Sequence, residues 1–304
     1  MTLIVARSED GETFITSDTL LSKINGEKLS YDECVVKIAI INFECCICFA
    51  GNFEPANIAI THLIKAEYQT VNEILQYLYS VHQEYNQSVD FGVITNIGGK
   101  TSLYSLKDGV PESNVINLWL GDHFNTFQHK MSEFQNEATL KEKMSSAINA
   151  LIQDGNIVSV GGFQISVSTD NDNFQYEDNN GKRPITGFSY SFGIQHSIGP
   201  QVLEFEAAGD LQSISGISND NVSVFSSISP YFPGVAIHYM HANRGYFFCP
   251  HLRVKRNETD KTLQAFVFEN VTPQVFITKI LEEYNVKVKG FVADDSGRIT
   301  YVAT

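Results

Sequence analysis

The chain has 304 residues, of which 43% are hydrophobic and 12% aromatic, so a large core is feasible without disulfide bridges or structural metals. Its 21 lysines and arginines stand against 35 aspartates and glutamates, which gives a net charge of -14. An acidic chain without a basic run repels phosphate backbones, so we expect no nucleic-acid partner. No apolar run reaches the roughly 18–20 residues of a membrane helix, and no secretory signal pattern is visible, so no membrane partner is expected.

Five cysteines form an odd and clustered set, and three of them (Cys45, Cys46 and Cys48) lie inside one apolar strand. Cysteine in such a strand behaves as a small hydrophobic residue. The pattern predicts reduced thiols and a cytoplasmic location.

The first 50 residues predict two consecutive β-hairpins. β-Branched runs at residues 3–7 and 12–17 flank a turn that contains Asp10-Gly11, a strong hairpin signal. Apolar runs at 35–41 and 45–49 repeat the arrangement. The third strand therefore begins close to Lys37.

Helices and strands then alternate in blocks. A helix is predicted at about residues 55–68, and a second begins near Val71, with His82 at the rim of its apolar face. Further strands are predicted at 90–96, 101–106, 115–120 and 161–168, and further helices at 124–135 and 139–154.

This order predicts an α+β protein. Helix pairs that cover both faces of two stacked antiparallel sheets make a four-layer α-β-β-α sandwich, which we assign to residues 1–178. A polar loop then introduces a β-rich extension or second subdomain over residues 179–304, with one C-terminal helix. Its predicted elements are strands at 188–195, 202–206, 222–227, 235–240, 246–249 and 262–269, a helix at 273–284 and a hairpin near 294–297.

An ordered set of residues in the N-terminal part resembles a known family. The set comprises the run from Thr2 to Ala6, Asp10-Gly11, Ile15 to Asp18, Lys37-Ile38 and Phe49-Ala50-Gly51. It is similar to the proteasome β-subunits and the HslV peptidase of the N-terminal nucleophile (Ntn) hydrolase superfamily, and weaker likeness extends to about residue 175. The resemblance implies the Ntn sandwich, a threonine-type peptidase or amidohydrolase, a peptide or small amide substrate, homo-oligomeric assembly and no cofactor.

The chemistry of this set follows from its residue types. If Met1 is removed, Thr2 carries a hydroxyl nucleophile and a free α-amine, whose ordinary pKa of about 7.7–8 suits a general base. Lys37 is expected to stabilise the alkoxide, and Asp18 to hold Lys37. A backbone N–H near Cys48 or Gly51 is expected to stabilise the oxyanion.

Three positions depart from the pattern of the resembling enzymes. Cys48 stands where they have a glycine over which the substrate backbone passes, so its side chain is expected to crowd a peptide. Asp122 replaces a serine after Gly121, and Ser159 takes an auxiliary place only with a slipped register. A second interpretation therefore stays open: a catalytically inactive relative with a structural or partner-binding role.

Other clusters carry weaker signals. Three positions separate His238 from His241, which places them on opposite faces of a strand, so they do not form a metal pair. A zinc site that includes Cys249 and His251 is one interpretation, but the favoured interpretation is that both are buried or rim side chains without a metal. The run from Asp170 to Asn173 lacks the glycine and distal glutamate of a calcium loop and is interpreted as a hairpin turn. We expect no metal.

Overall fold

The computed structural model describes residues 2–9, 11–21, 34–66, 70–113, 115–137, 139–154, 156–157, 159–170, 173–178, 222–293 and 299–304. Within these ranges the protein is α+β, with six α-helices and three antiparallel sheets. The strands are β1 (Leu3–Glu9), β2 (Glu12–Ser17), β3 (Ile38–Asn42), β4 (Cys45–Gly51), β5 (Val89–Ile97), β6 (Lys100–Lys107), β7 (Val110–Ser113), β8 (Asn117–Gly121), β9 (Ile165–Asp170), β10 (Asn173–Tyr176), β11 (Val222–Ser227), β12 (Val235–Tyr239), β13 (Arg244–Phe248), β14 (Phe266–Phe268), β15 (Val288–Ala293) and β16 (Ile299–Ala303). The helices are α1 (Phe53–Lys65), α2 (Val71–Glu84), α3 (Phe124–Glu133), α4 (Leu140–Ile152), α5 (Pro250–Lys255) and α6 (Pro273–Tyr284).

The first sheet has the strand order β10-β9-β2-β1-β8, and the first four residues of its interior strand β1 are buried. Successive side chains of a strand point to opposite faces. Leu3 and Val5 accordingly join a cluster with residues of α3 and α4, whereas Ile4 and Ala6 join a second cluster with the second sheet. Strand β1 therefore runs between a helical layer and another sheet, and it carries Thr2 at its start.

The second sheet has the order β3-β4-β5-β6-β7. Helices α1 and α2 pack on it through buried side chains such as Ala59, Leu63 and Leu78, which belong to the same cluster as β4. Strand β4 ends at Gly51, and Asn52 caps α1 by accepting a hydrogen bond from the Glu54 amide at 3.2 Å. The strand-to-helix turn is thereby fixed.

The third sheet, with the order β14-β13-β12-β11-β15-β16, belongs to the C-terminal region. Helix α6 covers it through a cluster that includes Phe225, Phe247 and Phe276. Side chains of the same sheet, such as Ile237 and Tyr246, join the large cluster of the N-terminal sheets. The C-terminal region therefore packs directly against the N-terminal part.

Backbone hydrogen bonds reinforce this packing. The Val36 amide donates to the Leu263 carbonyl at 2.9 Å, and the Asn57 side chain of α1 donates to the Thr259 carbonyl at 2.8 Å. The Leu263 amide in turn donates to Asn57 Oδ1 at 3.2 Å. These bonds attach residues 259–263 to α1 and to the segment that precedes β3.

Most predicted elements are confirmed, including both N-terminal hairpins, the four helices of the N-terminal part and the helix at Pro273–Tyr284. The strand predicted at 262–269 is shorter, since only Phe266–Phe268 is extended, and β7 and α5 were not predicted. The strands predicted at 188–195 and 202–206, the proposed boundary at residue 179 and the tip of the hairpin at 294–297 lie outside the described residues. No helix in the described part of the chain is both long and apolar enough to cross a membrane.

The position predicted for His82 at the rim of α2 is wrong. His82 is fully buried, with Nδ1 2.6 Å from the Val89 carbonyl oxygen and Nε2 accepting a hydrogen bond from the Gly109 amide at 2.9 Å. A helical pattern alone does not reveal the two backbone groups that satisfy this imidazole.

Candidate functional site

Thr2 lies at the start of β1 and is 4% exposed. The Asp122 amide donates to its carbonyl oxygen at 2.9 Å. Gly121, the residue before Asp122, pairs with Leu3 and has a φ of +80°. A β-carbon at Gly121 would overlap the Thr2 carbonyl, so glycine is needed there. The end of β8 thus fixes the backbone of Thr2.

Asp18 directly follows β2 and is fully buried. Its Oδ1 accepts hydrogen bonds from Thr2 Oγ1 at 2.7 Å and from the Leu3 amide at 3.2 Å. Its Oδ2 accepts from the Leu20 amide at 3.3 Å and from the Gly161 amide at 3.2 Å. With Lys37 Nζ as a fifth donor, these bonds satisfy the buried carboxylate.

Lys37 directly precedes β3 and is 3% exposed. Its Nζ donates to Asp18 Oδ1 at 2.9 Å, to the Leu20 carbonyl at 2.7 Å and to Thr2 Oγ1. Its carbonyl oxygen accepts from the Phe49 amide of β4 at 3.2 Å. All three ammonium protons therefore have acceptors, and the backbone is anchored beside them.

Burial lowers the pKa of Lys37, and the adjacent Asp18 carboxylate opposes this effect. A lysine with a lowered pKa gives up a proton more readily than a solvated one. The predicted residues Thr2, Asp18 and Lys37 are thus brought together in one buried hydrogen-bonded cluster.

Cys48 and Gly51 lie on β4 but in different surroundings. Cys48 is fully buried, its thiol contacts the Gly92 carbonyl oxygen at 3.6 Å, and burial raises its pKa to about 12. The expectation that its side chain crowds a substrate is not met, since a fully buried thiol is not in contact with a substrate path. Gly51 is exposed, with φ +103°, and its β-carbon would overlap the Ser88 carbonyl. Of the two residues, only Gly51 is exposed.

The two auxiliary residues have different partners: Asp122 bonds to Thr2, and Ser159 bonds to His123. Asp122 is exposed and contributes its backbone amide to the Thr2 carbonyl. Ser159 is 3% exposed, and its Oγ lies 2.8 Å from Nε2 of His123. His123 was not singled out from the sequence. The available signal was its place directly before a predicted helix, where Ser, Thr, Asp or Asn is usual.

The other candidate clusters have ordinary partners. His238 Nε2 lies 2.6 Å from the Val271 carbonyl oxygen, and His251 Nε2 lies 2.9 Å from the Ile40 carbonyl oxygen. The Cys249 thiol contacts the Phe232 carbonyl at 3.7 Å. Among the described residues no group of three or more His, Cys, Asp or Glu side chains is arranged to hold a metal ion.

The run from Asp170 to Asn173 connects two paired strands. Asn173 of β10 pairs with Asp170 of β9, which confirms the hairpin, while residues 171–172 lie outside the described ranges.

Comparison with known proteins gives no further assignment. No protein-family model matches the chain, and no curated protein matches it.

Proposed function

We propose that this chain is an N-terminal threonine hydrolase of the proteasome-like type, which cleaves a peptide or small amide once Thr2 is the first residue. The observation that carries the proposal is that Lys37 Nζ donates to both Thr2 Oγ1 and Asp18 Oδ1, while Thr2 Oγ1 donates to the same carboxylate oxygen. A hydroxyl nucleophile, a cation and an orienting carboxylate are thus in direct contact.

In the proposed reaction the neutral α-amine of Thr2 takes the proton from Oγ1, directly or through a water, as the oxygen attacks the acyl carbon. Lys37 stabilises the negative charge that develops on the threonine oxygen. The Gly51 amide is the proposed donor to the oxyanion, and one such donor typically contributes about 3 kcal/mol. The α-ammonium then gives its proton to the leaving amine. A water, activated by the same amine, hydrolyses the acyl ester and regenerates Thr2.

The packing of the helices supports the finer fold assignment, a four-layer α-β-β-α Ntn sandwich. Side chains of α3 and α4 share a cluster with Leu3, Val5 and Phe14 of the first sheet. Those of α1 and α2 share a cluster with the second sheet. The proposed location is the cytoplasm, which the five buried cysteine thiols support. Homo-oligomeric assembly is proposed from the resemblance alone.

The same three residues also fit a non-catalytic relative, in which a buried ion pair serves only the fold. Buried pairs are often structural, and breaking one typically destabilises a protein by about 3–5 kcal/mol. Two properties separate this alternative from the hydrolase. The hydrolase needs a free α-amine at Thr2, and it needs a hydroxyl that reacts with acylating agents.

Intact-mass spectrometry of the purified protein before and after incubation with a β-lactone tests both properties. The expected result is a chain that begins at Thr2 and gains the mass of one lactone, with fragmentation that places the adduct on Thr2. The Thr2→Ala variant is the matched control and is expected to remain unmodified. A wild-type chain that begins at Thr2, is folded and gains no adduct would contradict the proposal.

A further inference from the structure

We infer that the hydrogen bond between His123 and Ser159 positions Thr2 and Asp18 in the proposed active site, so that His123 is a positioning residue for the reaction. The inference rests on the proposed function. It concerns two side chains that are 36 positions apart and lie in separate connecting segments, one before α3 and one after α4.

The segment that contains His123 holds the backbone of Thr2. Gly121 has φ +80° and His123 has φ +65°, so that two left-handed residues flank Asp122. This tight path directs the Asp122 amide to the Thr2 carbonyl oxygen at 2.9 Å. A fixed carbonyl fixes the orientation of the Thr2 backbone, and with it the directions of Oγ1 and of the α-amine.

The segment that contains Ser159 holds the carboxylate. Two residues after Ser159, the Gly161 amide donates to Asp18 Oδ2 at 3.2 Å. The Gly161 carbonyl accepts from the Leu20 amide at 3.1 Å, and the Leu20 carbonyl accepts from Lys37 Nζ at 2.7 Å. Gly161 therefore contacts both the Asp18 carboxylate and the backbone of Leu20, whose carbonyl accepts a hydrogen bond from Lys37.

The His123–Ser159 hydrogen bond, at 2.8 Å, connects these two segments. Residues 122–123 and 159–161 lie outside the strands, so the ladder that pairs Gly121 with Leu3 does not extend to His123 or Ser159. One side chain bond between them reduces their independent motion, and displacements near 1 Å at an active site typically slow a reaction by up to about a hundredfold.

The conformation of His123 is unfavourable for a residue without another role. A left-handed conformation costs a non-glycine residue about 1–2 kcal/mol. His123 also occupies the N-cap of α3 without a side-chain capping bond, although its carbonyl accepts from the Phe127 amide at 2.8 Å. Asparagine would suit both the left-handed backbone and the N-cap position better, because it tolerates this conformation and caps helices. Five other left-handed positions in the described part of the chain carry asparagine: Asn86, Asn243, Asn257, Asn270 and Asn285.

His123→Asn therefore separates positioning from folding. The substitution removes the imidazole while it supplies a residue that suits the local backbone, so the free energy of unfolding is expected to be unchanged or higher. Ser159→Ala removes the same hydrogen bond from the other side. His129→Asn, on the exposed surface of the same helix, is the matched control.

The first measurement is native-state hydrogen exchange of the Asp122 and Gly161 amides, which does not require catalysis. Both amides are expected to exchange at least about tenfold faster in His123→Asn and in Ser159→Ala, while an amide of the core strand β5, such as Val93, is unchanged. The His129→Asn control is expected to match the wild type. Unchanged exchange at both site amides in both variants would overturn the inference, whatever the activity.

The second measurement is the kinetics of Thr2 acylation by the β-lactone, separated into the maximal rate constant and the half-saturating concentration. The expected result is a maximal rate constant lowered about tenfold to a hundredfold in each variant, with the half-saturating concentration and the final extent of acylation unchanged. The double variant is expected to be no slower than the slower single variant, since both substitutions remove one bond. A purely structural role would lower the final extent of acylation and leave the rate constant of the folded fraction unchanged.

The outcomes are distinguishable from those of the functional proposal. A folded wild-type chain that begins at Thr2 and is never acylated overturns both, because no reaction then exists for His123 to assist. A wild type that is acylated, with His123→Asn and Ser159→Ala acylated at the same rate, overturns only the inference about His123.

Discussion

Gly121 lies so close to Thr2 that a β-carbon built on the glycine would overlap the Thr2 carbonyl oxygen. Thr2 directly precedes β1, whose first residue Leu3 pairs with Gly121 of the neighbouring strand β8. Any side chain at position 121 must therefore displace the start of β1 or the end of β8.

Gly121→Ala is accordingly expected to lower the free energy of unfolding by about 2–4 kcal/mol and to slow Thr2 acylation by more than about tenfold. The control is Gly98→Ala, because Gly98 also has a positive φ of +59° but has nothing within 4 Å of its β-carbon position. Urea unfolding and acylation kinetics measure the two effects. Equal effects of the two substitutions on stability would contradict the argument from overlap.

Removal of the Lys37 charge is expected to destabilise the fold as well as the site. In Lys37→Met the fully buried Asp18 carboxylate loses its cation, which costs about 3–5 kcal/mol. The double variant Lys37→Met/Asp18→Asn removes both charges and is expected to recover at least half of that loss. Neither variant is expected to be acylated at Thr2. A double variant that is stable and acylated at the wild-type rate would exclude the ion pair from the chemistry.

Cys48→Ala is expected to leave Thr2 acylation within about twofold of the wild type, because the thiol is fully buried against the Gly92 carbonyl. The loss of one buried sulfur is expected to lower stability by about 1 kcal/mol. The same kinetic and urea measurements apply. An acylation rate that changes tenfold or more would show that Cys48 lies closer to the substrate than its burial indicates.

Acidic pH is expected to destabilise the protein through His238. Burial lowers the pKa of this imidazole, whose Nδ1 has no hydrogen-bond partner among the described residues. The unfolded chain then binds a proton at a higher pH than the folded chain, so the free energy of unfolding falls as the pH drops below about 6.5. Burial lowers the pKa of His241 and His251 as well, which adds to the effect.

His238→Gln isolates this contribution, because glutamine can still donate to the Val271 carbonyl but does not titrate. The difference in unfolding free energy between pH 7.5 and pH 5.5 is expected to be smaller in His238→Gln than in the wild type. An identical pH dependence for His238→Gln and wild type would contradict the assignment.

The order of elements in the N-terminal part was predictable because hairpin turns and helix periodicity are local signals. Thr2, Asp18 and Lys37 were predicted as a group from the resemblance to the N-terminal nucleophile hydrolases, and each directly precedes or follows a strand. Helix α5 was missed because it has only six residues, too few to show a helical period, although Pro250 occupies its first turn.

The pairing of His123 with Ser159 was not predictable from local patterns. Both residues lie in irregular segments, and their contact depends on how the end of β8 meets the loop before β9. The environment of Cys48 was misjudged for a related reason. Strand alternation places a side chain on one of two faces, but it does not show whether that face meets the substrate or another layer of the protein.

The hydrogen bond from the Val36 amide to the Leu263 carbonyl gives the C-terminal region a direct connection to the proposed catalytic lysine. Val36 is the residue before Lys37, and the neighbouring Val35 pairs with Gln264. The lysine is thus held from one side by β4 and from the other by a segment more than 200 positions later in the chain. A shortened chain that lacked this segment would keep every residue of the cluster and still lose part of the support of Lys37. The C-terminal region therefore supports the backbone next to Lys37, and its removal is expected to disturb the site.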